Sequence, residues 1–375
     1  MFLAVFGYTA GGEIRSAYII MEEQNIFDEL CGCEMCHQAP ADKTENPHSR
    51  LCKRCREQAI RYPLPWIFLP ITLVVLALTV FAYFQMPKQL TDYRIYATAE
   101  ARIQQGMLYD TLSQLEQTAQ RHPNSTDLAV RLVTLSMDYG CYDFAAYCMN
   151  THLAGKSLSD TTYGEMIHYQ NILNSYYDTL DELQAVSDDL GEDTEQELAV
   201  VIIKEKLEDM KGDPKMYQPL VWYYAAQFSE DPEEYKASLL KCLEENPMDF
   251  TAMSELGTRL RRDGDFESAR SYYEQVLRYE KTEALACRGM AILNLLDGNN
   301  EEALTYARTA YESDPDALYV RDTYLITLFE NGMMAETEQM KQEMEDAGTP
   351  MEDDTKALLS GEISLREYYV EEEAL

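Results

Sequence analysis

The stretch MSELGTRLRRDGDFESARSYY, residues 253–273, decides the fold. Large apolar residues stand at Met253, Leu256 and Leu260, followed by Gly264 and then by Ala269 and Tyr273. The small residues Gly257 and Ala269 let two helices cross closely, and Gly264 suits a sharp turn between them. The stretch therefore reads as one antiparallel helix pair. Working outward, glycine recurs at Gly264, Gly298 and Gly332, each 34 residues on from the last, and earlier at Gly106 and Gly140, a pair with the same 34-residue spacing.

A 34-residue period of paired helices is that of tetratricopeptide repeats. Residues 253–273 resemble that family's pattern, with Met253 in the place of its tryptophan and Leu260 in the place of its tyrosine. Lys281 stands near the place of its terminal proline. The next unit keeps Ala291, Gly298, Ala303 and Pro315, and the one after keeps Tyr324, Leu328 and Gly332, with Thr337 where alanine is expected. Towards the front, Ala99, Gly106 and Pro123 fit one unit, and Val133, Gly140 and Ala145 another. The expectation is a mostly α chain with a tetratricopeptide-like (TPR-like) α-solenoid over residues 88–351.

Between Cys148 and Pro247 the register is lost, although the residues still read as helices. Residues 159–211 give two or three helices broken around Leu190–Thr194. Asp213-Pro214 and Asp231-Pro232 read as helix starts, each a cap followed by proline. Ala225 and Ala237 repeat the 12-residue spacing of Gly257 and Ala269, so 217–247 reads as a sixth, irregular unit. Ser364-x2-Glu367 is a capping box, and residues 352–375 read as a C-terminal capping helix with an acidic tail.

Before the repeats lies LPWIFLPITLVVLALTVFAYFQM, residues 64–86, 23 residues without a charge. About 20 apolar residues of helix cross a bilayer core, so this run is a candidate transmembrane helix. Arg50, Lys53, Arg54, Arg56 and Arg61 precede it, and only Lys88 and Arg94 follow closely. That bias predicts a cytoplasmic N-terminus and an extracytoplasmic repeat domain. Tyr62 and Trp66 at one end and Tyr83 at the other are aromatic anchors.

Five of the nine cysteines lie within Cys31–Cys55. Cys33-x2-Cys36 and Cys52-x2-Cys55 have the form of a four-thiolate Zn2+ site, each tight turn presenting two sulfurs to one tetrahedral ion. Cys31 is an alternative to Cys33 as ligand; His37 and His48 are weaker ones. The competing reading is a set of unmetallated thiols or disulfides. Residues 31–57 resemble the short zinc-ribbon modules found at the N-termini of many bacterial membrane proteins, a likeness that implies a structural or protein-binding role. Residues 1–30 read as a disordered leader, with Met21 as an alternative start.

Charge is uneven. Residues 1–85 carry 9 acidic and 7 basic residues; of the chain's 66 and 31, the other 57 and 24 follow. So acidic a repeat domain repels nucleic-acid phosphates. No glycine-rich phosphate loop, His-Glu-x2-His or Gly-x-Ser-x-Gly is present, so no enzyme and no small-molecule substrate are expected.

Projecting the repeat pattern puts Tyr93, Tyr96, Ile103, Val130, Met137, Arg261, Arg262, Arg288, Leu295, Tyr319, Ile326 and Phe329 on a concave face made by the first helix of each pair. Arg261, Arg262, Arg288 and Tyr319 are the candidate partner-binding residues, as a clamp for an acidic peptide or a terminal carboxylate; the alternative is that the arginines neutralise neighbouring acids. Part by part the chain is similar to bacterial envelope-assembly factors that combine one membrane helix, such repeats and a four-cysteine module. That likeness implies a membrane-anchored scaffold or adaptor for protein partners. The second reading is a one-pass signalling regulator with a zinc-bearing cytoplasmic head and an external repeat sensor.

Overall fold

A computed structural model describes residues 32–44, 46–61, 68–190, 195–349 and 351–371. It divides into two units, Met1–Lys88 and Gln89–Leu375. The leader 1–30 with Met21, the alternative ligand Cys31, and the anchors Tyr62 and Trp66 lie outside the described residues.

In the first unit, helix α1 (Lys53–Arg61) follows the second cysteine pair. Helix α2 (Phe68–Ile103) begins in the apolar run. It is the one helix among the described residues long and apolar enough to cross a membrane. From Phe68 to Phe84 every side chain is exposed, whereas a core helix buries at least one face.

In the second unit the last turns of α2 bury Ala99 and Ile103. There follow α3 (Leu108–Arg121), α4 (Thr126–Asp138), α5 (Tyr142–Cys148), α6 (Asp160–Asp189), α7 (Gln196–Met210), α8 (Gln218–Gln227) and α9 (Pro232–Glu245). Then come α10 (Phe250–Arg262), α11 (Phe266–Tyr279), α12 (Ala284–Leu296), α13 (Asn300–Ser313), α14 (Leu318–Glu330), α15 (Met334–Asp346) and α16 (Asp353–Ser360). This is an almost all-helical, solenoid-like array. The first helices of three successive pairs, α10, α12 and α14, are 13 residues each. They start at Phe250, Ala284 and Leu318, which is the 34-residue period.

One turn geometry explains the recurring glycine. At Gly264 φ is +80°, a conformation an L side chain rarely adopts. Its N–H reaches the Arg261 carbonyl (3.0 Å), and the Asp265 N–H reaches Leu260 (2.9 Å). This paired bond closes a helix end. The same two bonds recur at Gly106, Gly140, Gly298 and Gly332. Asp265 then caps α11 by accepting from the Ser268 N–H at 3.1 Å.

Gly257 makes room for a ring. Tyr273 of α11 is fully buried and sits between Gly257 of α10 and Gly289 of α12. A Cβ on Gly257 would lie 2.7 Å from the Tyr273 ring, and one on Gly289 only 2.2 Å from it. The Tyr273 hydroxyl pairs with Thr258 Oγ1 at 3.2 Å. Three helices of two adjacent pairs thus lock on one side chain.

The irregular middle departs from the sequence reading in two places. Asp231 caps α9, accepting from the Glu233 N–H at 2.9 Å, as its proline pair predicts. Asp213-Pro214 instead occupies a turn, and α8 starts at Gln218 with Pro219 in its first turn. The α8–α9 pair exists, but the buried small residues are Ala226 and Ser238, one place on from Ala225 and Ala237.

Residues 154–247 form an excursion, after which the chain rejoins its own front. The Lys281 N–H donates to the Gly106 carbonyl (3.1 Å), the rings of Tyr139 and Tyr279 lie 5.5 Å apart, and Tyr109 N–H donates to Glu280 Oε2 at 2.9 Å. One apolar cluster accordingly joins Leu112, Leu132 and Leu135 to Phe250, Tyr273 and Met290. Burying each such side chain stabilises the fold by about 1.5–3 kcal/mol.

Candidate binding groove and candidate metal centre

Helices α10, α12 and α14 lie side by side. Of the residues projected onto their common face, Arg261, Leu295 and Ile326 are buried, Tyr319 is exposed, and Arg262 and Phe329 are intermediate. What buries them is the C-terminal segment. Helix α16 closes the last pair, with Leu359 and Met351 against Leu328, Met340 and Met344. Beyond Gly361 (φ +80°) the chain turns back. The predicted capping box forms reciprocally: Ser364 N–H donates to Glu367 Oε2 (2.7 Å), and Glu367 N–H to Ser364 Oγ (3.2 Å).

The box opens a single wide turn, Glu367–Glu371, rather than a stacked terminal helix. Tyr369 is fully buried with Ile292, Leu295 and Ile326, and Ile363, Leu365 and Tyr368 pack against the same cluster. Residues 363–370 form a strap across the row of first helices.

Arg261 is part of that seating. Its side chain is fully buried, Nη1 donates to the Tyr369 carbonyl, and the guanidinium lies 5.7 Å from the Tyr369 ring centre. A buried arginine is tolerated when hydrogen bonds and a π-face replace water. Arg261 grips a main-chain carbonyl of the chain itself; it is not displayed for an incoming carboxylate.

Arg288 points along the same row. Its Nε donates to the Tyr319 carbonyl (3.1 Å) and to Thr323 Oγ1 (3.0 Å), and the guanidinium stands 5.3 Å over the Tyr319 ring. So Arg288 and Tyr319 do come together, while Arg261, on the neighbouring first helix, is seated under the strap. Asp322 lies on the same helix as Tyr319. Burial pushes its carboxyl up to about 6, with the Glu352 carboxylate adding to the effect.

In the first unit the four sulfurs of Cys33, Cys36, Cys52 and Cys55 lie within 4.8 Å of one another. An ideal tetrahedron with metal–sulfur bonds of about 2.3 Å has edges of about 3.8 Å, and Cys36 Sγ–Cys52 Sγ is 3.8 Å. The donor set fits one tetrahedral ion.

Backbone bonds build the set. His37 N–H returns to Cys33 O (2.7 Å), and His37 takes a left-handed φ of 52° that closes the first knuckle. Glu34 N–H bonds Arg50 O (3.0 Å) and Asp42 N–H bonds Leu51 O (2.9 Å), tying the two knuckles together. The second knuckle opens α1, with Cys52 just before the helix and Cys55 in its first turn. Gly32 and Pro40 make the one β-bridge among the described residues of this unit; the second half of the expected ribbon is replaced by α1. His37 and His48 are not in the cluster.

No family model matches the chain, and no curated protein matches it. Among solved structures it is similar to yeast Tom70, with a TM-score of 0.36 and 10% identity, covering 67% of this chain and 61% of that one. It is also similar to a tetratricopeptide repeat protein from Parabacteroides merdae ATCC 43184, with a TM-score of 0.30 and 14% identity over 76% and 90% of the two chains. A third likeness is to the TPR domain of P58(IPK), with a TM-score of 0.24 and 11% identity over 69% and 84%.

Proposed function

We propose that this chain is a membrane-anchored TPR-like scaffold that takes up a segment of a partner protein along the row of first helices α10, α12 and α14. The observation that carries the proposal is the strap: a short apolar, tyrosine-bearing segment lies on that row, its main chain held by Arg261. A surface that seats such a segment in cis has the shape and polarity to seat one in trans. The exposed apolar helix supports a single membrane crossing, with the basic residues before it on the cytoplasmic side and the repeats outside. The four-cysteine module then acts as a Zn2+-stapled structural head; with few apolar residues of its own, it gains its stability from the ion. The role is one of binding rather than chemistry.

Two experiments test this. A photo-crosslinker in place of Tyr319, in membranes from the native host, should give a discrete adduct that strengthens when residues 361–375 are deleted. The adduct should weaken when Ile292→Asp spoils the row. No adduct in either chain, or one indifferent to both changes, would count against the groove. A single cysteine introduced at the exposed Thr161 should react with an impermeant maleimide on intact cells. Reaction only after lysis would reverse the proposed orientation.

A further inference from the structure

A second site lies away from the strap, where the excursion rejoins the front repeats. An open cavity of about 420 Å³ is lined by the first turn of α3, the turn between α4 and α5, helix α6, the first turns of α8 and the loop into α10. Its volume falls within the range of small-molecule sites. Rings make most of its wall: Tyr109, Tyr142, Tyr176, Tyr217, Tyr223 and Tyr224 all line it. Tyr142, Tyr176 and Tyr217 stand against one another with centroids 5.2, 5.3 and 5.8 Å apart, and the Tyr142 and Tyr217 hydroxyls bond each other. An adjoining cavity of about 440 Å³ shares Tyr109, Tyr142 and Tyr176.

The ionisable groups lining the two cavities, phenols and thiol aside, are carboxylates, with His152 behind Glu116 at 3.6 Å. Asp249 lines the first, and Glu116 and Asp143 line the second; no lysine, arginine or histidine lines either. Asp249 is held in place as the cap of α10, with Oδ1 accepting from Ala252 N–H at 2.9 Å. The weak thiol donor of Cys242 stands 3.7 Å from its other oxygen, the Thr251 backbone N–H also contributes, and burial pushes the carboxyl up. The tyrosines stay neutral: burial carries the Tyr176 phenol up to about 12. Neutral π-faces and carboxylates around adjoining cavities disfavour anions and attract a cation.

We propose that this cleft binds an organic cation, an ammonium or guanidinium group presented by a free amine or by a basic side chain of a partner. Its ligand and its place in the fold are separate from those of the groove above.

The test uses the full-length protein in detergent, titrated by calorimetry with choline, spermidine and N-acetyl-lysine methyl ester. The comparison ligand is 3,3-dimethylbutan-1-ol, which has the shape of choline without its charge. The expected result is saturable binding of at least one cation, about tenfold or more tighter than the neutral isostere. Choline or spermidine binding alone identifies a free small-molecule cation; binding of the lysine ester identifies a basic side chain. Tyr176→Leu should weaken binding about tenfold. Asp143→Asn, a change at an exposed position that the fold tolerates, should weaken it severalfold. Equal affinity for the neutral isostere, no cation binding below about 10 mM, or unaltered binding in Asp143→Asn with Tyr176→Leu would overturn the proposal.

Discussion

Replacing Gly289 by alanine tests the packing on which the repeat row depends. The new Cβ would lie 2.2 Å from Tyr273 Cζ and 2.5 Å from both Cε atoms, inside any real contact. The ring cannot retreat towards α10, because it already lies 2.7 Å from where a Cβ on Gly257 would be. Its hydroxyl is tied to Thr258. Overpacking of this kind costs about 1–3 kcal/mol and occasionally more. Alanine recovers up to about 1 kcal/mol of helix propensity. With both sides blocked the cost sits at the upper end, so a net loss of about 2 kcal/mol is expected. For a unit of this size that lowers the melting midpoint by about 4–8 °C.

Circular-dichroism melts of the full-length protein measure the loss. Gly164→Ala is the control, because Gly164 lies in helix α6 with nothing within 4 Å of its would-be Cβ. That change should leave stability unchanged or raise it by up to about 1 kcal/mol. The double variant Gly289→Ala with Tyr273→Leu should lose less than the two single changes added together. If Gly289→Ala melts with the parent, the wedge is not what holds these pairs together.

Three further outcomes follow from the same geometry. Asp322 has its folded-state carboxyl raised from 3.8 to about 6, so the fold carries a penalty above pH 6 that fades as pH falls towards 4. Asp322→Asn should therefore raise stability at pH 7.5 by on the order of 1–3 kcal/mol and leave little difference from the parent at pH 4, read from melts at both pH values. Metal analysis of the purified protein should find about one zinc per chain. Cys55→Ser should lose it and render residues 32–61 protease-sensitive, whereas Cys148→Ser should keep it; parent protein without metal would refute the site. Tyr369→Ala removes a fully buried ring and the π-face beneath Arg261. It should cost about 3–5 kcal/mol if the strap is seated in solution, and nothing if the strap is open.

Much of the array was legible because a single physical demand repeats. Each pair needs a left-handed residue at its turn, only glycine meets it cheaply, and Gly264, Gly298 and Gly332 mark it. The two cysteine knuckles were legible for a similar reason, since each Cys-x2-Cys turn is a local spacing, and their four sulfurs do come together. What escaped the sequence depends on contacts between distant residues. Gly289 is one more small residue in ALACRGMAILNLL until Tyr273 is seen to press on it. Arg261 falls on the projected inner face, but nothing local says that Tyr369, 108 residues away, will cover it. Asp213-Pro214 carries a proper helix-start signal and lost because Gln218 takes over the turn, its Nε2 bonding the Asp213 carbonyl at 2.9 Å and its Oε1 receiving the Gly212 N–H at 2.8 Å. The tyrosine cavity joins five separate segments, and no single window of sequence contains it.

The central claim is that the row α10–α12–α14 is a receptor for a chain segment. The most direct measurement is calorimetric titration of the protein lacking residues 361–375 with a synthetic peptide of residues 361–371. Saturable binding with a Kd of about 1–100 µM, weakened at least tenfold when Tyr369 of the peptide is replaced by alanine or when the protein carries Arg261→Met, is the predicted result. A truncated protein that stays folded yet binds no peptide at millimolar concentration would contradict it.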